Sequence, residues 1–207
     1  MEIIWLGRNC FRLKGRDGAV ITDPCPPSSG YRIGKQPADI VTLSLRDDPG
    51  YSHVEGVAPG ARVLDAPGEY EVGGILVTGI AVSRTSDSRT IAFVVEIDGI
   101  RICHLGLATN PPTAPVLEEL GKVDILLIPV GGLNAFSGAA AQDVMTTIDP
   151  GIAIPMNYKT SVEKLELDGV DRFLRETGSK TEPVPRLSVT RSQVPSDLTL
   201  VVLEPRQ

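Results

Sequence analysis

Histidine and cysteine, two of the side chains that most often bind zinc or act in catalysis, are scarce in this chain. The 207-residue sequence contains two histidines, His53 and His104, and three cysteines, Cys10, Cys25 and Cys103. An odd number of cysteines without Cys-x-x-Cys spacing predicts neither a disulfide framework nor a structural zinc site. Cys25 lies between two prolines, and it is the one cysteine that we expect to be exposed. It has no histidine close in sequence, so we do not expect it to act as a nucleophile.

The charged run Arg46-Asp47-Asp48 follows an apolar, β-like stretch. It could form an ion pair inside a concave site, or it could be a solvated loop in which such a pair contributes about 0–1 kcal/mol. Arg46 could also converge with Arg8 and Arg84 on a cleft and bind a phosphate or carboxylate through bidentate contacts. Surface arginines are common, so each of these interpretations has an ordinary alternative.

The two histidines and the pair Glu69 and Glu71 could each have a functional role or only a structural one. His104 follows an apolar segment, and we expect a hydrogen-bonded core histidine there rather than a metal ligand. His53 lies in a polar loop and is expected at the surface. Glu69 and Glu71 alternate around Tyr70, so they could form an acid–base pair on one face of a strand or could be surface glutamates beside a turn.

The charge balance and hydropathy exclude several partner classes. The net charge is −6, and Lys and Arg are scattered, so we expect no nucleic-acid partner. No stretch approaches the ~18 apolar residues of a membrane span. Charged residues, Glu2 and Arg8, occur within the first eight positions, so no export signal is predicted and a cytoplasmic location is expected. The expected partners are an unknown small-molecule or anionic ligand, or another protein, and the chain could form an oligomer.

The secondary structure is predicted to consist of strands first and then of alternating strands and helices. Strands are expected near 2–6, 10–14, 18–22, 40–44, 62–65, 75–83, 90–97 and 100–105, and buried strands at 123–130, 152–156 and 199–203. Asp17-Gly18 and Asp98-Gly99 predict hairpin turns. Helices are expected at 115–120, 139–147 and 162–177. This order predicts one α/β domain, residues 1–207, with layered sheets.

Several segments together resemble the metallo-β-lactamase superfamily, and within it the small single-domain hydrolases of the ascorbate-6-phosphate lactonase type. These segments are residues 5–7, 10–11, 22–24, 38–42, 67–74, 103–106, 123–132 and 154–156. The resemblance implies a metallo-β-lactamase-type αββα four-layer sandwich. It also implies that loops at one edge of the sandwich hold one or two zinc-type ions.

The resemblance implies where the metal ligands should lie, and the chain departs from the family there. The corresponding positions hold Arg8, Arg46, Asp48, Gly50, Tyr51, Leu107 and Asn157, and the stretch around Arg84 has no histidine. A catalytic zinc needs three protein ligands, and neither a guanidinium nor an amide replaces an imidazole. The sequence therefore predicts a former metal cleft lined by Arg46, Asp47, Asp48, Tyr51, Arg84, His104, Leu107 and Asn157.

Three functional hypotheses follow. The favoured one is a non-catalytic module that binds a ligand or a partner and takes no cofactor. The alternative is a metal-dependent hydrolase of the superfamily with an atypical or residual site. Its activity could be residual, single-metal or metal-independent and would use Asp47, Asp48, His104 or Tyr51, and zinc or manganese is expected only under this alternative. The third is a subunit whose site is completed by another chain.

Overall fold

The structure is a computed structural model, and it describes residues 1–84, 88–133 and 135–206. The strands are β1 (Glu2–Gly7), β2 (Cys10–Lys14), β3 (Ala19–Thr22), β4 (Ile40–Thr42), β5 (Arg62–Leu64), β6 (Gly68–Val72), β7 (Ile75–Ser83), β8 (Arg89–Ile97), β9 (Ile100–His104), β10 (Ile125–Pro129), β11 (Ile152–Met156), β12 (Leu187–Ser188) and β13 (Thr199–Leu200). The helices are α1 (Ala114–Leu120), α2 (Gly138–Ile148) and α3 (Val170–Thr177), and short 3-10 turns occur at Pro27–Ser29, Val54–Gly56 and Arg191–Gln193.

The strands form two sheets that pack face to face. One sheet has the order β12-β1-β2-β3-β4-β5 and the other β13-β11-β10-β9-β8-β7-β6. β3 and β4 are parallel, as are β9, β10 and β11. Parallel strands place their carboxyl ends at one edge of a sheet, so the residues that follow β3 and β4 are brought together in one sheet and those that follow β9, β10 and β11 in the other.

The core lies between the sheets and holds large side chains that are fully buried, among them Trp5, Phe11 and Phe93. On the seven-stranded sheet, α1 contacts β7 and α2 contacts β10, and α3 packs on α2. On the six-stranded sheet, the covering layer is irregular chain in which Tyr31 and Ile33 are buried. The predicted α/β class with layered sheets is confirmed.

Local sequence signals account for most of the turns. Asp98 and Gly99 both have positive φ, 54° and 71°, as a two-residue hairpin of this kind requires. The Asp17-Gly18 hairpin is also present, and Gly15 N–H donates to Gly18 O across it at 3.0 Å. None of the helices in the described ranges combines the length and the apolar character that a membrane crossing requires.

The helix predicted over 162–177 is wrong in its first half, because α3 begins only at Val170. The preceding segment is held by contacts to distant parts of the chain instead of by its own helical bonds. Lys159 N–H donates to Asp168 O at 2.8 Å, and the Glu163 carboxylate binds Arg8. These long-range bonds override the apolar periodicity that favours a helix.

Candidate functional site

Buried polar side chains gather where the parallel strands end. Asn9, Asp23, Ser44, Tyr51, His104 and Asn157 form this strand-end cluster, and each is at most 5% exposed. Asp23 follows β3 and Asn157 follows β11, with φ of 36° and 52°. Asn and Asp tolerate the left-handed conformation better than most residues, so the chain can turn sharply there and point these side chains inward.

Asp23 is the fully buried carboxyl of the cluster. Its Oδ1 accepts the Ser44 N–H at 2.6 Å, and its Oδ2 accepts the Asn9 amide at 3.4 Å. Burial raises the pKa of Asp23 to about 7, although the hydrogen bonds from Ser44 and Asn9 oppose that shift. A carboxyl group with this pKa can release or accept a proton near neutral pH.

His104 ends β9 and lies beside Asp23, with 3.9 Å between its Nε2 and Asp23 Oδ2. Its Nε2–H donates to Asn9 O at 2.9 Å, and its Nδ1 accepts the Gly106 N–H at 3.2 Å. Burial lowers the pKa of His104 to about 4, so the imidazole is neutral at pH 7. Both ring nitrogens are bonded within the protein, which is the arrangement of a hydrogen-bonded core histidine.

Two side-chain amides of the cluster each have one atom without a partner in the described part of the chain. Asn157 Oδ1 accepts the Tyr51 hydroxyl at 3.2 Å, but its Nδ2 is unpaired. Asn9 Nδ2 donates to Gly106 O at 3.0 Å, but its Oδ1 is unpaired. The Asn157 N–H donates to Arg8 O, so the two amides lie on adjoining segments. Buried polar atoms are normally bonded, so an unpaired donor and an unpaired acceptor indicate a site for water or a ligand group.

A buried ion pair closes one side of the cluster. Arg8 Nε and Nη2 each donate to the Glu163 carboxylate at 2.9 Å, and the guanidinium carbon lies 5.6 Å from the centroid of the Tyr51 ring. Burial lowers the pKa of Arg8, but the hydrogen bond and charge of Glu163 outweigh burial and raise it. Burial also raises the pKa of Tyr51 to about 12, so the phenol remains a hydrogen-bond donor to Asn157.

The predicted charged run lies outside this buried cluster. Arg46 is 70% exposed and pairs with Asp65 at 2.9 Å, so its position agrees with the solvated-loop interpretation and not with an ion pair inside a concave site. Asp47 is exposed, and Asp48 Oδ1 accepts the Gly50 N–H at 2.9 Å. Asp48 therefore stabilises a turn, and Arg46 and Asp47 lie in a solvated loop beside it.

The remaining predicted residues are scattered. Leu107 is fully buried, and Arg84 is half-buried, with its carbonyl accepting the Thr109 hydroxyl. The stretch predicted around Arg84 extends to residue 85, which lies outside the described residues. The exposed thiol predicted at Cys25 is wrong, because the loop that carries it packs onto the six-stranded sheet and buries it completely.

Sequence reasoning missed several residues of the site. Asp23 follows directly after the buried strand β3, in the sequence Thr22-Asp23-Pro24. A polar residue at the end of a buried strand often belongs to a site, so this position could have indicated Asp23. Asn9 and Ser44 likewise follow β-like stretches. Glu163 has no such signal, since nothing local marks it as the partner of Arg8.

Comparison with known proteins identifies the architecture. Residues 2–157 match the family described as a beta-lactamase superfamily domain. A UPF0173 protein of Pyrococcus furiosus is 30% identical over 79% of this chain and 86% of its own length. A UPF0173 metal-dependent hydrolase of Methanoregula boonei is 27% identical over 81% and 86%. A solved structure from Thermotoga maritima, described as a candidate Zn-dependent hydrolase of the metallo-beta-lactamase superfamily, is 33% identical, with a TM-score of 0.81 over 98% and 97% of the two chains.

These comparisons confirm the superfamily and the sandwich fold, and they overturn two predictions. The favoured hypothesis of a non-catalytic module is wrong, because similar proteins aligned over most of their length are called metal-dependent hydrolases. The prediction that no cofactor is used is wrong for the same reason, since these names suggest a metal. The finer likeness to ascorbate-6-phosphate lactonases stays a prediction.

The described side chains do not fit the metal site that such names suggest. Within residues 1–84, 88–133 and 135–206, no three His, Cys, Asp or Glu side chains form a group that could hold a metal ion. The nitrogens of His104 and the oxygens of Asp23 already have protein partners. A catalytic zinc site needs three protein ligands and one open position. We therefore assign no metal ligand among these residues.

Proposed function

Because the chain belongs to the beta-lactamase superfamily, we propose that it is a hydrolase with an atypical site, located at the strand-end cluster. The observation that carries this proposal is the likeness, at 33% identity over 98% of the chain, to a protein described as a candidate Zn-dependent hydrolase. The cluster lies at the carboxyl ends of the parallel strands, where loops of an α/β fold commonly build their sites.

The chemistry of the cluster suits proton transfer to or from water. Asp23, with a pKa of about 7, would accept a proton from a water molecule that attacks the substrate. The unpaired Asn9 Oδ1 is an acceptor that would orient this water, and the unpaired Asn157 Nδ2 is a donor that would stabilise developing negative charge on the substrate. Tyr51 holds the Asn157 amide in position through the bond to Oδ1.

Hydrolysis assays on the full chain test this proposal. Chromogenic carboxylic esters, lactones, thioesters and phosphate diesters would be offered to protein treated with a chelator, and again after addition of Zn²⁺ or Mn²⁺. We expect turnover of at least one class, and we expect Asp23→Asn to lower it by about 10²–10⁴-fold, as loss of a general base does. The control is Asp171→Asn, an exposed carboxylate on α3.

Two outcomes would contradict the proposal. Absence of turnover for every class, with and without added metal, removes the hydrolase function. Unchanged turnover in a folded Asp23→Asn variant removes the strand-end cluster as the site. Metal content measured on the same samples shows whether turnover follows bound metal.

A further inference from the structure

A groove lined by both charged and apolar residues lies on the outer face of the six-stranded sheet beside β1. Its larger part has a volume of about 810 Å³, and its lining includes Ile4, Ser161, Arg186 and Arg206. A neighbouring pocket of about 320 Å³ is lined by Tyr31, Arg32 and Val162, and again by Arg206. Arg206 borders both volumes, so they form one surface, which we call the arginine groove.

Some guanidinium groups of this groove form an ion pair with a carboxylate, and others do not. Arg186 pairs with Glu2 at 3.0 Å. Arg32 and Arg206 are exposed, and neither forms an ion pair with a carboxylate of another described residue. Glu204 also lines the groove but lies beyond ion-pair distance of these arginines. On a chain with a net charge of −6, two guanidiniums that have no ion-pair partner among the described residues form a local positive site in this concavity.

The walls of the groove are held by contacts within the fold. The Tyr31 hydroxyl lies 2.8 Å from Thr160 Oγ1, and the Arg206 N–H donates to Trp5 O at 2.9 Å. Gly30, with φ of 104°, lies so close to the 160–163 segment that a Cβ would be 2.0 Å from Val162 O. A ligand therefore meets backbone that is already positioned, which lowers the entropic cost of binding.

We propose that the arginine groove binds an organic anion that carries a phosphate or carboxylate group. Guanidinium groups present paired N–H donors that match both anions. The exposed Ser161 hydroxyl adds a further donor, and Ile4 and Val162 supply apolar surface for the carbon part of the ligand. The predicted anion site at Arg8, Arg46 and Arg84 is less suited, since Glu163 and Asp65 already neutralise the first two. The inference concerns binding at this groove and does not depend on the proposed hydrolase activity.

Thermal unfolding of the full chain in the presence of anions tests this inference. Inorganic phosphate and succinate would be titrated separately, with sodium chloride at matched ionic strength as the reference. We expect one of them to raise Tm saturably, by about 3 °C at ten times its Kd. Arg32→Gln and Arg206→Gln are expected to weaken that anion's binding at least about tenfold each, the loss of one charge-assisted contact. Arg62→Gln, at the opposite edge of the same sheet, is the charge-matched control and should bind as the wild type does.

The outcomes separate this inference from the proposed function. Stabilisation by phosphate or by succinate that is lost in Arg32→Gln and Arg206→Gln supports the groove and identifies the group that it prefers. Equal stabilisation of these variants and of the wild type, or no stabilisation beyond sodium chloride, overturns it. Hydrolysis of an uncharged ester by Arg32→Gln and Arg206→Gln reports on the strand-end cluster alone, so either proposal can fail without the other.

Discussion

Arg8 and Glu163 form a buried bidentate ion pair between residues 155 positions apart, with both N···O distances at 2.9 Å. The Arg8 guanidinium also donates to Gly50 O at 3.3 Å. The pair thus joins the β1–β2 turn, the loop after β4 and the 160–168 segment beside the strand-end cluster. Replacing a whole buried pair by apolar residues is often neutral, whereas removing one partner leaves an unpaired charge, so the two kinds of substitution should differ.

Glu163→Gln is expected to lower the free energy of unfolding by about 3–5 kcal/mol, because the Arg8 charge stays buried without its carboxylate. Urea unfolding followed by circular dichroism measures the change. The double variant Arg8→Met/Glu163→Leu should lose less than Glu163→Gln does. Arg175→Gln, which removes an exposed pair with Asp171 on α3, is the control and should cost about 0.5 kcal/mol or less. A loss in Glu163→Gln no larger than this control would contradict the structural role of the pair.

Asp23 and His104 make opposite contributions to the pH dependence of stability. The folded pKa of Asp23, about 7, is above its ordinary value, so the folded state binds the extra proton and stability falls as pH rises from about 4 to 7. The folded pKa of His104, about 4, is below its ordinary value, so stability rises with pH from about 4 to 6.5. In the wild type the two effects largely cancel over this window.

Asp23→Asn is expected to reveal the contribution of His104 to the pH dependence of stability. The free energy of unfolding of this variant should rise by about 3 kcal/mol between pH 4 and pH 6.5, whereas the wild-type value changes little. Denaturant titrations at each pH measure it. The same profile in Asp23→Asn and in the wild type would show that Asp23 does not titrate in this range.

His104→Gln is expected to show the opposite slope. With the imidazole removed, the Asp23 contribution remains, and the free energy of unfolding should fall by about 3 kcal/mol between pH 4 and pH 7. Gln can still donate a hydrogen bond toward Asn9 O, which limits the loss of stability at pH 4. A variant whose stability rises with pH over this range would refute the assignment. His53→Gln serves as the control, because the His53 side chain is partly exposed and lies against Glu55.

Thiol labelling tests the burial of the three cysteines. Cys10, Cys25 and Cys103 are all fully buried, so a thiol-specific reagent should label less than one thiol per native chain and three in urea. Burial also raises the pKa of Cys25 and thereby reduces its thiolate fraction. Val63→Cys, at a position that is 38% exposed on β5, should add one rapidly labelled thiol. Rapid labelling of one native thiol in the wild type would show that the loop around Cys25 opens.

Local patterns predicted most of the secondary structure, and the exceptions have a physical cause. The strands near 75–83, 90–97 and 100–105 and the Asp98-Gly99 turn follow from β-branched runs and turn chemistry, which act over a few residues. The segment before Val170 has apolar spacing typical of a helix, yet the Glu163 bond to Arg8 and the Lys159 bond to Asp168 hold it in a loop. Such bonds join residues that no local pattern relates.

Composition, order and local spacing were enough to predict the class of fold, the resemblance to the superfamily and the types of residue at the expected ligand positions. The packing of the whole chain, in contrast, sets which charges meet. It paired Arg46 with Asp65, enclosed Glu163 against Arg8, and placed Asp23 beside His104 away from water. Ion pairing and desolvation depend on distances and burial set by the packing of two sheets, and those quantities arise only when strands distant in sequence come together.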